Sequence, residues 1–209
     1  MYRDRIDAGR RLAKELTRFA DDAEAVVLGI PRGGVIIGGE IARELDLPLD
    51  VIIASKIGAP HNPEYAVGAV DADGRVTANP DAGYDVAELE VLARPVRDKI
   101  RRRIELYRGG EEAIDLEGAT AIIVDDGIAT GLTALAAARY VRAQGAERVV
   151  LAVPVIAAGA VAAFRGEVDE LVAPERPAYF QAVGQFYERF AQVRDDEVLE
   201  VLAEFGYGG

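Results

Sequence analysis

Residues 122–133 read IIVDDGIATGLT, an apolar, β-branched run that stops on two adjacent carboxylates, Asp125 and Asp126. A glycine-bracketed turn follows, and then a helix-forming stretch, LTALAAARYVRA. A strand apolar on both sides belongs inside a parallel sheet, and a turn of this kind delivers its end to a helix N-terminus, where unpaired N–H groups favour an anion. The backbone from Gly127 through Ile128, Ala129 and Thr130 to Gly131, with the hydroxyls of Thr130 and Thr133, therefore makes a candidate phosphate cradle. The two acids beside it suit neighbouring hydroxyls, such as the 2- and 3-OH of a pentose. The alternative is a plain strand-turn-helix connection with a capped helix and a solvated acidic pair. Two unpaired carboxylates at the end of a buried strand repel each other and are costly unless a ligand or cation compensates them, which favours a site.

A second glycine turn closes an earlier apolar run, in LGIPRGGV at residues 28–35. Gly33 and Gly34 let backbone N–H groups approach an anion closely, and Arg32, after Pro31, offers a forked, permanently charged donor. A tight turn with a solvent-facing arginine is the competing reading. Lys56 follows the apolar run VIIAS and is expected on the same sheet edge, either as a mobile charge for an anion or as a solvated strand-end lysine. Residues 58–65, GAPHNPEY, have the composition of a loop. They carry the chain's single histidine, His61, as a candidate anion donor or proton carrier or else as a surface residue.

Hydrophobic periodicity predicts helix over 3–20, strand over 25–30, helix over 35–45 and strand over 49–55. A hairpin is expected from 67–70 and 75–78 around DADG, and a long arginine-rich helix from 86 to 107. After the signature strand and helix come a strand at 148–154, a short helix at 158–164, a strand at 170–172 and a final helix at 195–205. This alternation makes an α/β fold, a doubly wound and mainly parallel sheet in one domain over 1–209, with ligands at the strands' C-terminal ends. The run Arg101, Arg102 and Arg103 reads as the solvated face of the long helix, and Phe180, Phe186, Tyr187 and Phe190 as either a stacking surface for a planar base or a small satellite core.

With no cysteine among 209 residues, thiol and disulfide chemistry are excluded. A net charge of −12 argues against nucleic-acid binding. No apolar run is long enough to span a bilayer, and the charged N-terminal stretch lacks a signal-peptide core, so a cytoplasmic protein with no membrane partner is expected.

IIVDDGIATGLT resembles the ribose-phosphate and diphosphate signature of type I phosphoribosyltransferases, and LGIPRGGV resembles their pyrophosphate loop. ASKIGAP, NPE and AVGAV, between Ala54 and Val70, together with AVGQFYERFAQ at 182–192, are similar to a bacterial and archaeal subgroup of that family with unassigned acceptors. The resemblance implies a small hood, expected at about 176–209 with the N-terminus as a further candidate. It also implies transfer from 5-phosphoribosyl 1-diphosphate to a nitrogenous acceptor, a nucleobase being expected. Asp125, Asp126 and Lys56 would then be catalytic, and Mg²⁺ would be held mainly through ligand oxygens. A mobile loop would carry His61, Asn62 and Glu64, and a cis peptide is expected around Arg32–Gly33. Ala129 stands where enzymes for 6-oxopurines usually carry an aspartate, which disfavours those bases. A homodimer is left open. So are two other functions: a regulator that binds the donor without turnover, and a nucleotide phosphorylase or hydrolase using the same cradle.

Overall fold

The computed structural model describes residues 1–207; the last two positions of the expected hood lie outside the described residues. Five parallel strands form the central sheet: β1 (Ala25–Gly29), β2 (Leu49–Val51), β6 (Thr120–Val124), β7 (Arg148–Ala152) and β8 (Glu170–Val172), in the order β2-β1-β6-β7-β8. Around them lie α1 (Arg5–Glu15), α2 (Gly33–Leu45), α3 (Val86–Arg108), α4 (Leu132–Ala143) and α5 (Asp195–Ala203). Three further strands, β3 (Ser55–Ala59), β4 (Asn62–Val70) and β5 (Val76–Ala78), make a separate antiparallel sheet.

The side-chain period of two divides each central strand between two cores. Val27, Ile122, Val124 and Val150 face α1, α2, α3 and α5, packing with Leu12, Ile37, Ile41, Ile100 and Val198. Val26, Leu28, Ile123 and Leu151 face α4 and pack with Leu135, Ala137 and Val141. Each fully buried aliphatic side chain contributes about 1.5–3 kcal/mol relative to exposure. Burial on both faces accounts for the unbroken apolar runs that the sequence shows.

From β1 the chain runs through α2 to β2 on one side, whereas from β6 it runs through α4 to β7 on the other. Right-handed crossovers in opposite directions put α2 and α4 on opposite faces. The strand order therefore reverses between β1 and β6, and the crevice at their C-terminal ends is the place where ligands bind in such sheets.

Two expectations need correction. The strand expected over 49–55 ends at Val51 in the parallel sheet, and Ser55 begins β3 in the antiparallel one, so Lys56 does not sit at the end of a parallel strand. The segment 58–65 is the tip of the β3–β4 hairpin rather than an irregular loop. Its glycine and proline serve a register shift: a Cβ at Gly58 would press on the Pro63 backbone, and pairing slips between Ile57 and Ala59.

Candidate active site

The turn after β1 is built to touch the end of β6. Ile30 donates its N–H to the Val124 carbonyl at 2.8 Å, and the peptide between Pro31 and Arg32 is cis, one residue before the place expected. A Cβ at Gly33 would overlap the Asp126 carboxylate, and one at Gly34 would overlap the Val124 carbonyl. The two glycines thus allow the arginine-bearing turn to lie directly against the acidic pair. Arg32 itself reaches towards Asp195 on α5, at 3.9 Å.

Beyond β6 the turn is open. Gly131 takes φ +88°, which an L side chain resists, and starts α4. Among the described residues the N–H groups of Gly127, Ala129, Thr130 and Gly131 have no protein acceptor, nor do the hydroxyls of Thr130 and Thr133 have a partner. Ile128 differs from its expected role: its N–H goes to the Val155 carbonyl at 2.9 Å and its side chain is buried, so it anchors the turn instead of facing a ligand. A cavity of about 150 Å³ lies here, lined by Asp125, Gly127, Thr130, Thr133 and Val183 among others. Two helix N-termini, those of α2 and α4, thus open at neighbouring strand ends.

The two acids are not equivalent. Asp126 receives Arg5 of α1 at 2.8 Å, and the guanidinium also donates to the Ala191 carbonyl and lies 3.9 Å from the centre of the Phe190 ring. Tyr187 donates its hydroxyl to the Asp126 carbonyl at 2.7 Å. Asp125 accepts the Asp126 N–H at 2.8 Å and has no ion-pair partner among the described residues. Burial, and then the charge of Asp126, push the Asp125 carboxyl well above the usual carboxylate range. Burial also raises Asp126, but Arg5 opposes the shift.

Sequence reasoning missed Arg5, and it named Tyr187 only as part of the aromatic cluster, not for its bond to Asp126. They arrive because the N-terminus and the tail zip together: Tyr2 donates to the Phe186 carbonyl and accepts from the Glu188 N–H, both at 2.8 Å. No local pattern could reveal Arg5, which lies 121 positions from its partner. The aromatic residues of the tail pack on one another. Tyr187 is buried against Tyr2, Phe180 pairs with Phe186 at 5.1 Å between ring centres, and Phe190 remains partly exposed under Arg5.

The remaining candidates lie on the hairpin. Lys56 pairs with Glu64 at 2.8 Å across β3 and β4, with His61 in the intervening turn and Asn62 beside it, all three of these last residues exposed. The ammonium of Lys56 lowers the Glu64 carboxyl.

With two strand-end turns and a paired-acid centre meeting at the switch point, the comparisons with known proteins agree on one family. The chain belongs to the phosphoribosyl transferase domain family, whose model matches residues 2–170. It is 46% identical over 206 residues, 97% of its length, to a Mycobacterium tuberculosis protein bearing the name "Putative phosphoribosyl transferase". The chain spans 46% of that relative, about half the length of such curated relatives. The crystal structure of TT1426 from Thermus thermophilus is 41% identical, with a TM-score of 0.83 over 98% of this chain and 99% of that one. A shorter match, 34% identity over 118 residues, 53% of this chain and 34% of the relative, links it to a ribose-phosphate pyrophosphokinase of Prochlorococcus marinus. No helix among the described residues is long and apolar enough to cross a membrane.

Proposed function

We propose that the protein transfers the 5-phosphoribosyl group from 5-phosphoribosyl 1-diphosphate to a nitrogenous acceptor and releases pyrophosphate. The observation that carries this reading is the packing of Gly33 on Asp126, which puts a cationic turn, a paired-acid centre and an open phosphate cradle around one crevice. In this reading the free N–H groups after Asp126 and the hydroxyls of Thr130 and Thr133 take the 5-phosphate. The turn from Pro31 to Gly34, with Arg32 and Lys56, takes the diphosphate.

As the bond from the anomeric carbon to the diphosphate oxygen breaks, its electron pair leaves with pyrophosphate and the ring becomes positive. An acceptor nitrogen forms the new bond from the opposite face. A half-buried acid pair that binds a proton more tightly than usual also favours any other positive charge placed beside it. Asp125 and Asp126 therefore suit the developing cation as well as the ribose hydroxyls. The donor set fits Mg²⁺ carried mainly on ligand oxygens: Asp126 is engaged by Arg5, which leaves the Asp125 carboxylate as the nearby protein oxygen group. Such an ion would neutralise the leaving group. Holding donor and acceptor in line can supply roughly 7–11 kcal/mol of the barrier reduction. Ala129, exposed on the turn, offers no acid or base to a purine N7, so the acceptor we favour is not a 6-oxopurine.

The deciding assay incubates the full chain with donor, Mg²⁺ and a panel of nucleobases and follows pyrophosphate. Release with at least one base is expected. Donor binding without release under any base would sink the transferase reading and favour a ligand-responsive regulator, while phosphate-dependent cleavage of nucleoside monophosphates would favour a phosphorylase. In the same series, Arg32→Ala should weaken pyrophosphate more than ribose 5-phosphate, and equal losses would remove Arg32 from the diphosphate end.

A further inference from the structure

The basic stretch of α3 is not uniformly solvated. Lys99, Arg101 and Arg102 are exposed, but Arg103 is half-buried, one turn before the buried Tyr107. Residues 99, 103 and 107 recur every four positions and so share one stripe of the helix. The direction of that stripe is fixed by Tyr107, whose hydroxyl bonds to Asp195, the same carboxylate that Arg32 approaches at 3.9 Å. Lys99 and Arg103 thus stand on the stripe that faces the cationic turn after β1. The helix also packs on β3, the strand that carries Lys56. Two of the chain's three lysines thus lie on packed elements, α3 and β3, in a protein of net charge −12.

Counter-charge is thin. Lys99 and Arg103 have no ion-pair partner among the described residues, while Asp195 is shared with Tyr107 and Glu64 is a largely solvated partner of Lys56. Partial burial, followed by the charges of Arg103, Arg32 and Lys56, lowers the Lys99 ammonium. Four cations that repel one another across one face are costly when empty and favourable when a multiply charged anion lies among them.

We infer that Lys99 and Arg103 of α3 complete a binding site for a diphosphate group with Arg32 and Lys56, so that the anion is gripped by the long helix as well as by the turn. The assignment rests on the donor proposed above, and extends it to a helix that the glycine turns gave no reason to include. Lys99 serves as a mobile point charge and Arg103 as a forked donor.

The test is titration of the full chain with inorganic pyrophosphate and, separately, with ribose 5-phosphate. The Lys99→Gln/Arg103→Gln double variant should bind pyrophosphate at least about tenfold more weakly, with ribose 5-phosphate unchanged. An Arg101→Gln/Arg102→Gln variant removes the same charge from positions off that stripe and should bind pyrophosphate as the unmodified chain does. Equal losses in the two double variants would mean a diffuse field and overturn the site. So would pyrophosphate affinity that is absent from the unmodified chain or unaffected by the Lys99/Arg103 substitutions. A thermal melt of each variant confirms that the fold is retained. If pyrophosphate binding depends on Lys99 and Arg103 but no acceptor supports pyrophosphate release, the diphosphate site stands and the transferase reading falls.

Discussion

The turn after β1 and the turn after β6 both put glycines between a buried strand and a helix, yet they use them against different neighbours. In the first, Gly33 and Gly34 are pressed against protein, against the Asp126 carboxylate and the Val124 carbonyl. In the second, Gly131 supplies a left-handed backbone, and the N–H groups around it have no acceptor among the described residues. One turn is shaped by contact and the other by what it leaves unpaired. A side chain added to the first should therefore disturb fold and chemistry together, whereas a hydroxyl removed from the second should be felt by ligand alone.

The largest effect is expected where the turns meet. Asp125→Asn with Asp126→Asn should lower kcat/KM by about a thousandfold or more while the chain still folds, because Arg5 keeps the Ala191 carbonyl and the Phe190 ring. Near-normal turnover would remove the acids from the chemistry. Asp125→Asn alone tests their electrostatics. A carboxyl whose folded pKa lies above its unfolded value binds its proton more tightly in the folded chain. The stability it contributes is complete below the ordinary carboxylate range and is lost as pH rises through the folded value. The variant should therefore melt higher than the unmodified chain at neutral pH, and the gap should close as pH falls towards the ordinary range. A lower melting temperature at pH 7 would contradict the repulsion assigned to the pair.

Next comes the contact between the turns. Gly33→Ala should cost about 1–3 kcal/mol in a denaturant titration and about a hundredfold in turnover, because the new methyl group displaces the Asp126 carboxylate. Thr130→Val is its counterpart in the open turn. It should weaken ribose 5-phosphate binding by about tenfold and leave the melting temperature alone, since Thr130 is exposed and its hydroxyl serves no protein group among the described residues. If the two substitutions gave the same profile, the division between a contact turn and an open turn would be wrong.

How legible the site was follows the same division. The open turn is local: its acids, glycines and threonines are consecutive, and their chemistry follows from order alone. The sheet was also readable, because strands buried on both faces must be apolar throughout; the strand at 170–172 and the short helix at 158–164 appear with the bounds expected. The hairpin expected from 67–70 and 75–78 appears as β4 and β5, but the pairing of β3 with β4 was not readable, because VIIAS runs without interruption across the point where the chain leaves one sheet for another, and Gly58 and Pro63 imitate a loop while shaping a register shift. Arg5 and the stripe of α3 that carries Tyr107 were hidden for a different reason. Their meaning depends on which part of a helix faces the crevice, and distant packing decides that.

Arg5→Gln tests whether the tie from α1 does more than hold the N-terminus. Without the guanidinium, Asp126 keeps the burial that raises its pKa and loses the charge that opposes it. The acidic limb of the kcat/KM profile should then move to higher pH, with about a tenfold loss at neutral pH. Arg5→Lys should restore part of both. An unshifted limb with reduced stability would make Arg5 a purely structural clasp.

The smallest effect is expected at the hairpin, which differs from both turns in having its candidate residues in solvent. Glu64 has 89% of its side chain exposed, so its pair with Lys56 is screened and should add nothing measurable to the melting temperature. The hairpin is held instead by its inner half, where Ala66, Val67, Ala69 and Val70 are buried. Glu64→Gln should leave the melt unchanged and, by freeing Lys56, tighten pyrophosphate binding by no more than a fewfold at low salt, a gain that disappears as salt is added. A marked drop in the melting temperature would mean that the exposed tip fastens the hairpin. Weaker pyrophosphate binding would mean that the pair positions Lys56 instead of competing for it.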